Sequence, residues 1–189
     1  MPPANKLFVF WGMVASGKST LAKAWAKRHG LRHHNSDRLR KELAAIPLFS
    51  HDDSGIDQGI YSRKFTRRTY DLLLERARQD LTDRKNVILD ASYQSRHERD
   101  LVRELAEKMG VEVYFVLCFC SDDEVTRRLK ARALDPDAVS DGSWEVYLKQ
   151  KESFEEPDEL KDGQMVRFLS EGPLETLLDR LDEQLVHLL

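Results

Sequence analysis

Residues 10–21 read FWGMVASGKSTL, a stretch in which two glycines, a lysine and a serine occur at a characteristic spacing. Gly12, Gly17, Lys18 and Ser19 match the pattern G-x-x-x-x-G-K-[ST] of a phosphate-binding loop. Such a loop turns backbone N–H groups toward a phosphate, and glycine permits the backbone angles and the close approach that side chains would block. The pattern therefore predicts that Lys18 reaches the β- and γ-phosphates of a nucleotide and that the Ser19 hydroxyl binds Mg²⁺.

The residues on both sides of this loop support the interpretation. An apolar run over residues 7–11 ends at the first glycine, as a buried parallel strand would. After the loop, apolar residues recur at helical spacing: Leu21, Ala22, Trp25 and Ala26. Gly30 follows as the predicted end of this helix. The loop thus lies between a strand and a helix whose positive N-terminus faces the phosphates. The residues predicted to contact them are Gly12, Ala15, Ser16, Gly17, Lys18, Ser19 and Thr20.

Length and composition limit the possible classes of protein. A chain of 189 residues, of which 41% are hydrophobic, suits one compact α/β domain. No apolar run approaches the roughly 20 residues of a membrane span, and the N-terminus lacks the layout of a signal peptide. We therefore expect a cytoplasmic protein with no membrane partner and no obligate protein partner. The 30 basic and 33 acidic residues give a net charge of −3, which argues mildly against a large nucleic-acid footprint.

Strand and helix patterns alternate along the chain, which is typical of parallel βαβ units. Further strands are predicted over 31–35, 86–90, 111–120 and 165–169. Helices are predicted over 37–45, 62–83, 144–154 and 173–188, and capping boxes at 95–98 and 121–124 begin two more. The predicted fold is a single three-layer P-loop NTPase domain over residues 1–189, with a five-stranded, mostly parallel sheet and helices on both faces. Ligands bind at the carboxyl ends of strands in this architecture, so the loops there should share one face.

Two carboxylates follow predicted strands at that face. Asp90 ends the strand 86–90, where it can hold Mg²⁺ through water; the alternative is a cap for the following turn. Asp37 follows the strand 31–35 and is predicted to be a general base that accepts the proton of an attacking hydroxyl. The alternative for Asp37 is a favourable charge at a helix N-terminus. Arg40, one turn later, is predicted to hold an anionic acceptor or the transferred phosphoryl group.

A further group of candidates lies on the helix before the loop 134–143. Arg128 and Arg132 are four residues apart and therefore share one helix face. We predict an arginine-bearing lid over about residues 127–143 that closes over the nucleotide, with both arginines neutralising charge on the transferred group. A solvated basic face that pairs with the acidic residues 122–124 is the alternative.

Two clusters of basic residues have no single interpretation from the sequence. The first cluster, after the polar loop 47–61, consists of Arg63, Lys64, Arg67 and Arg68. The second cluster, after Asp90, consists of Arg96, Arg99 and Arg103. Each is either a binding site for an anion or a solvated helix face.

Several of these segments together resemble a known family. The stretches GMVASGKS, SDRLRKEL, TRRTYDLLLE, VILDASYQSRHER and RRLKAR are similar to the polynucleotide-kinase-like group of P-loop kinases, with zeta toxins and gluconate kinases as more distant relatives. The resemblance runs from about residue 6 to 157 and implies Mg²⁺-dependent transfer of the ATP γ-phosphate to a hydroxyl. It also implies roles for Lys18 and Ser19 (Walker A pair), Asp37 (general base), Arg40 (acceptor side), Asp90 (strand-end carboxylate) and Arg132 (lid). The segment Ser140-Asp141-Gly142 departs from the Ser-Asp-Ala expected there.

Two kinds of hydroxyl acceptor fit this resemblance. The net charge favours a small molecule, whereas the arginine clusters and the family likeness favour the 5′-hydroxyl of a nucleic acid. A nucleotide-dependent switch without an acceptor is a third hypothesis. It is disfavoured because the chain has no N-K-x-D motif and because Asp90 is followed by Ala91-Ser92-Tyr93 and not by x-x-Gly. A ring-forming mechanical ATPase is disfavoured because the chain lacks a helical subdomain.

Overall fold

The computed structural model describes residues 5–50, 58–135 and 139–189. The strands are β1 (Lys6–Trp11), β2 (Arg32–Asn35), β3 (Val87–Asp90), β4 (Glu112–Phe119) and β5 (Met165–Leu169). The helices are α1 (Lys18–His29), α2 (Ser36–Ala44), α3 (Arg63–Thr82), α4 (Arg96–Met109), α5 (Asp122–Ala133), α6 (Trp144–Ser153) and α7 (Leu174–Leu185). Short 3₁₀ helices cover Gly59–Tyr61 and Val186–Leu188. Within these ranges, no helix combines the length and the apolar composition that crossing a membrane would require.

The five strands form one parallel sheet with β1 at its centre. The strand order is β2-β3-β1-β4-β5, and all four pairings are parallel. In register, Asp90 is paired with Phe10 of β1 on one side and with Asn35 of β2 on the other. The strand ends that precede the predicted site residues are therefore level with one another, and the predicted α/β P-loop fold is confirmed.

Alternate residues of β1 pack against opposite layers of helices. Leu7, Val9 and Trp11 belong to the core beneath α3 and α4, together with Leu73, Ala77, Val102 and Ala106. Phe8 and Phe10 face α1 and α7 on the other side, together with Leu21, Trp25, Leu178 and Leu181. The Trp25 ring meets the Phe8 ring edge to face, with centroids 5.0 Å apart. Because β1 is buried on both faces, its sequence is apolar throughout, without the alternation of a half-exposed strand.

The ends of several helices differ from the sequence-based expectation. The closing helix ends at Leu185, and the last residues form a 3₁₀ turn. Leu174 is 37% exposed because it lies in the first turn of α7, ahead of the contact with the sheet. Part of the polar loop 47–61 is the 3₁₀ helix Gly59–Tyr61, and its residues 51–57 lie outside the described part of the chain.

The capping box predicted at 95–98 forms with both of its hydrogen bonds. The one predicted at 121–124 forms only the bond to the serine side chain. Ser95 Oγ accepts from the Glu98 N–H, and the Glu98 carboxylate accepts from the Ser95 N–H. Ser121 Oγ likewise accepts from the Glu124 N–H. The Glu124 carboxylate, however, binds the guanidinium groups of Arg127 and Arg128. Those bonds join two charged groups and are stronger than a bond to the neutral N–H at the cap.

The hypothesis of an anion site at the second basic cluster is wrong for Arg99. This side chain is fully buried and forms an ion pair with Glu159, with Nε 2.5 Å from Oε1. Its Nη1 donates to the carbonyls of Tyr93 and Gln94, and its guanidinium lies over the Trp11 ring. Its neighbours Arg96 and Arg103 both bind Asp100. Arg99 therefore ties the loop after β3 to the segment before β5, and its charge is satisfied inside the protein.

We predict that Glu159→Ala destabilises the fold by about 3–5 kcal/mol, because it leaves the Arg99 charge buried without a partner. Urea unfolding would measure this loss as a lower midpoint at unchanged slope. Glu156→Ala is the matched control: its carboxylate pairs with the exposed Arg167, while its carbonyl, which accepts from Arg99, is retained. Equal losses in the two variants would contradict the assignment of Arg99 as a buried structural cation.

Candidate active site

The loop between β1 and α1 has the conformation that its motif predicts. Gly12 and Gly17 have φ angles of 139° and 82°, which L-residues with side chains rarely adopt. A Cβ atom on Gly12 would lie 2.3 Å from the carbonyl oxygen of Cys118, so only glycine allows this approach to β4. Lys18 Nζ donates to the Met13 carbonyl across the loop at 3.2 Å. The loop is thus curled, with the lysine held at its open side.

A hydroxyl and a carboxylate meet beside this loop. Ser19 Oγ donates to Asp90 Oδ1 at 3.0 Å, and Asp90 is fully buried. The other oxygen of Asp90 accepts from Asn35 Nδ2 at 2.7 Å and lies 3.2 Å from His33 Nε2. Hydroxyl and carboxylate oxygens are the ligands that Mg²⁺ prefers, so the donor set fits the predicted metal. The three partners of Asp90 are side chains of α1 and β2, and none belongs to the turn that follows β3, which favours the metal role over a cap.

Asn35, which sequence analysis did not identify, connects the metal side to the acceptor side. Its Oδ1 accepts from the Arg38 N–H at 3.0 Å and caps α2, while its amide nitrogen binds Asp90. Because Asn35 supplies the cap, the Asp37 carboxylate in the first turn of α2 is not needed for it. An asparagine two residues before the predicted helix 37–45 was the available signal.

A cavity of about 670 Å³ opens in front of the loop. It is lined by Lys18, Asp37, Arg40 and Tyr61, and by residues of α3, α4, α6 and the segment 140–143. The cavity therefore joins the phosphate side of the loop to the residues that were predicted to face an acceptor. Pockets of this size commonly hold small ligands.

The four carboxylates that line this cavity differ in what they bind. Glu98 is engaged in the capping box, and burial raises its pKa. Asp141 accepts from the Tyr61 hydroxyl, and Glu155 from the Arg96 N–H. Asp37, in contrast, makes no hydrogen bond or ion pair with any other described residue. Among the cavity carboxylates of the described chain, Asp37 is thus the one available to a ligand.

Arg40 is built into the wall of this cavity. Its Nη1 donates to the Ile60 carbonyl at 2.6 Å and to Thr66 Oγ1 at 3.0 Å, and its guanidinium lies 4.7 Å from the centre of the Tyr61 ring. Arg40 is only 5% exposed, and its Nε has no hydrogen-bond partner in the described structure. The Tyr61 hydroxyl donates to Asp141 at 2.8 Å, and burial raises the pKa of Tyr61, so the hydroxyl stays protonated. Arg40 therefore contributes positive charge from a fixed position.

A second cavity of about 240 Å³ lies on the other side of the loop. It is bounded by Gly17 and Thr20, by the segment after β5, and by Arg128 and Arg132 of α5. Arg132 Nη1 is buried without a hydrogen-bond partner among the described residues. Loss of solvent lowers the pKa of Arg132, although the negative charge of Asp37 opposes this effect. Arg132 is thus a partly desolvated cation beside the phosphate-binding loop.

Arg128 occupies a different environment from Arg132, although the two share a helix face. Its Nη1 donates to the Ala15 carbonyl at 3.0 Å and its Nη2 to the Ser170 carbonyl at 2.5 Å. Its Nε donates to Glu124 at 2.7 Å. These bonds direct all three nitrogens of Arg128 to the protein, so Arg128 braces the back of the phosphate-binding loop against β5.

The helices α5 and α6, between which most of the predicted lid lies, contact the phosphate-binding loop directly. Val14 packs with Val125 of α5 and Tyr147 of α6, and its N–H donates to Gln150 Oε1 at 2.6 Å. A Cβ atom on Gly142 would lie 2.0 Å from Val14 Cγ2. This close approach explains why glycine replaces the alanine expected after Ser140-Asp141. Residues 136–138 of the predicted lid lie outside the described chain.

The structure thus gathers most of the predicted site residues around one loop. Those near the phosphate-binding loop or in its two cavities are Gly12, Ala15, Ser16, Gly17, Lys18, Ser19, Thr20, Asp37, Arg40, Asp90, Arg128 and Arg132. Sequence analysis missed Asn35, Tyr61, Asp141 and Gln150. Apart from the helix cap that Asn35 forms, their contacts join elements that are distant in the sequence, and no short motif marks such contacts.

The comparisons with known proteins agree with this fold. The family model described as an AAA domain matches residues 7–157, so the chain belongs to this family. A curated relative is an uncharacterized protein of Mycobacterium tuberculosis, which is 29% identical over 128 residues that cover 68% of this chain. The chain spans only about a quarter of that relative, 26% of its length.

Solved structures of P-loop kinases superpose over nearly the whole chain. A gluconokinase from Sinorhizobium meliloti 1021 has a TM-score of 0.60 and 23% sequence identity, with 98% of this chain and 97% of that chain covered. The APS kinase CysC of Mycobacterium tuberculosis, in complex with AMPPNP and APS, has a TM-score of 0.67 and 20% identity, with 98% and 99% covered. The fold is therefore that of the P-loop kinases, and the resemblance to P-loop kinases seen in the sequence is confirmed.

We predict that Arg128→Lys weakens the binding of Mg²⁺–AMPPNP about tenfold, because one ammonium group cannot span the Ala15 and Ser170 carbonyls that the guanidinium joins. Isothermal titration calorimetry would measure the affinity. Arg127→Lys is the control, since Arg127 binds Glu124 at the exposed side of the same turn. Unchanged affinity in Arg128→Lys would show that the loop keeps its shape without this brace.

Proposed function

We propose that the protein is an ATP-dependent phosphotransferase that moves the γ-phosphate of ATP to a hydroxyl of a small-molecule acceptor. One observation carries the proposal: Lys18 of the phosphate-binding loop and the unpaired carboxylate Asp37 line the same cavity. A phosphate donor held by the loop and an acceptor beside Asp37 would therefore meet at this point. A switch without an acceptor, or a mechanical ATPase, has no need of this cavity.

The nucleotide would lie across the loop. Its base and ribose would occupy the smaller cavity between Thr20, Arg132 and the segment after β5, and its phosphates would bind the loop amides and the N-terminus of α1. Gln150 would leave the Val14 N–H as a phosphate oxygen arrives. The structurally similar APS kinase was solved in complex with AMPPNP, which supports the binding of a nucleotide.

Ser19 and Asp90 would hold Mg²⁺, with Asp90 acting through water. When bound, Mg²⁺ supplies positive charge to the β- and γ-phosphate oxygens. His33 and Asn35 keep the Asp90 carboxylate oriented toward Ser19. Asn35 and Ser19 both donate hydrogen bonds to this carboxylate.

The chemical step needs a base on the acceptor side and positive charge on the donor side. Asp37 would accept the proton of the acceptor hydroxyl while the oxygen of that hydroxyl forms a bond to the γ-phosphorus. The bond from that phosphorus to the β,γ-bridging oxygen breaks, and ADP leaves. Lys18 and Arg132 would stabilise the charge on the transferred group, and Arg132 is desolvated, which strengthens its effect. Arg40 would hold the acceptor side, and Arg128 would keep the loop in place.

The walls of the larger cavity favour a small acceptor with several hydroxyls. Six serines line the cavity: Ser36, Ser92, Ser95, Ser140, Ser143 and Ser153. Its four carboxylates balance its four cations, which are Lys18, Arg40, Arg63 and Lys149. A 5′-hydroxyl polynucleotide is the second candidate, because the basic residues Arg63, Lys64, Arg67 and Arg68 are exposed at the start of α3.

A transfer assay tests the proposed function. The protein is incubated with Mg²⁺ and γ-labelled ATP and with sugars, polyols, nucleosides, aminoglycosides and 5′-hydroxyl RNA and DNA, and labelled products are separated. We expect label in a small hydroxylated compound and none with Lys18→Ala, which removes the ammonium group from the phosphates. Label in no compound, although AMPPNP binds, would contradict the proposal.

We predict that Asp37→Asn lowers transfer by a factor of about 100 or more, because the amide cannot accept the proton. The affinity for AMPPNP, measured by calorimetry, should stay within about twofold, since Asp37 lies on the acceptor side. Asp71→Asn, at an exposed position of α3 outside the cavity, is the matched control. A parallel loss of nucleotide binding and transfer in Asp37→Asn would instead assign Asp37 to the structure of the loop region.

A further inference from the structure

The first two turns of α3 carry a dense patch of positive charge, here called the basic rim. It consists of Arg63, Lys64, Arg67 and Arg68, and all four side chains are exposed. Within the described ranges, none of the four forms an ion pair; the one contact of note places the Arg68 guanidinium over the Phe65 ring, 5.4 Å from its centre. The charges of the basic rim are therefore directed to solvent.

The basic rim is electrostatically unfavourable for the helix that bears it. The first turn of α3 contains no acidic residue, and Ser62 makes no side-chain hydrogen bond as its cap. Cations near a helix N-terminus oppose the helix dipole, and like charges four residues apart, as in Arg63 and Arg67, repel each other. The second basic cluster differs, because Arg99 and Arg103 both have acidic partners. A bound anion would relieve the repulsion at the rim.

The basic rim borders the larger cavity. Arg63 and Thr66 line that cavity, so the patch begins at its wall and continues along the outer face of α3. Thr66 also accepts from Arg40, whose buried Nε lacks a partner among the described residues. Positive charge is thus present both on the surface of this wall and beneath it. Ser36 and Asp37, which line the same cavity, are less exposed than the residues of the basic rim.

We propose that the basic rim binds a phosphate group of the acceptor, separate from the hydroxyl that receives the γ-phosphate. The inference rests on the proposed function and narrows the acceptor to alcohols that already carry a phosphate. Guanidinium groups match phosphate oxygens through paired hydrogen bonds, and a doubly charged anion suits a patch of four cations. A phosphorylated sugar or polyol and a nucleic-acid strand with a free 5′-hydroxyl share this chemistry.

Acceptors that differ by one phosphate test the inference. Transfer from γ-labelled ATP is measured for glycerol against glycerol 3-phosphate, ribose against ribose 5-phosphate, and adenosine against adenosine 3′-phosphate. We expect kcat/KM to be about tenfold or more higher for the phosphate-bearing member of any pair that is labelled. A 5′-hydroxyl oligonucleotide forms a separate arm, in which a steep loss of activity with added salt indicates several phosphate contacts.

The double variant Arg67→Gln/Arg68→Gln removes two cations of the rim that lie outside the lining of the larger cavity. We expect it to abolish the advantage of the phosphate-bearing acceptors, to leave the neutral acceptors unchanged, and to keep or raise Tm, because repulsion is relieved. Lys23→Gln/Lys27→Gln makes the same charge change on α1, away from both cavities, and should keep the advantage. A persistent advantage in the rim variant, or equal use of both members of each pair, would overturn the inference.

A binding measurement separates the failure of this inference from failure of the proposed function. Glycerol 3-phosphate is titrated by calorimetry into the protein in the presence of Mg²⁺–AMPPNP, which blocks the nucleotide site. Binding that the rim variant loses, without transfer to any acceptor, would refute the phosphotransferase proposal and support the rim. If no phosphate-bearing acceptor binds or becomes labelled, the rim proposal fails, whichever neutral compounds are labelled.

Discussion

The hydrogen bond from Ser19 Oγ to Asp90 Oδ1 joins the phosphate-binding loop to the buried sheet, and the rest of the site depends on it. Parallel pairing places Asp90 level with Phe10 on one side and with Asn35 on the other. A carboxylate buried at this point requires donors, and Ser19 and Asn35 supply them. Because Asn35 also caps α2, the same bonds set the start of the helix that carries Asp37. Metal side and acceptor side are thereby positioned by one buried charge.

Environment, more than residue type, separates the roles of the arginines. Arg99 is fully buried and paired, so it serves the fold. Arg128 donates to carbonyls on both sides of the loop and braces it. Arg132 is partly desolvated with a free buried nitrogen, and Arg40 has one as well, among the residues described. A buried cation without an anionic partner destabilises the unliganded protein, and a bound anion would remove that cost. Arg132 and Arg40 therefore fit sites that bind phosphate or an anionic acceptor.

The segment before α6 lies between the phosphate-binding loop and the wall of the larger cavity. Gly142 touches Val14 of the phosphate-binding loop, and the neighbouring Asp141 holds the Tyr61 hydroxyl on the acceptor side. Gln150 accepts from the Val14 N–H, a donor that phosphate would otherwise use. A nucleotide that displaces Gln150 from the Val14 N–H would move a side chain of α6. Because Gln150 also lines the larger cavity, the wall of that cavity would change as well. In the proposed function, the donor and acceptor sites would thus share a structural element.

The sequence by itself determined the loop, the order of strands and helices along the chain, and the strand-end carboxylates. Their signals are local: glycine spacing, apolar runs and caps act within a few residues. Only the tertiary structure decided which charged side chains are satisfied. Arg99 and Arg128 look like Arg132 in the sequence, yet their partners Glu159 and Ser170 lie tens of residues away. The contacts of Asn35, Tyr61 and Gln150 were likewise invisible, because they form only when the sheet and its helices bring distant segments together.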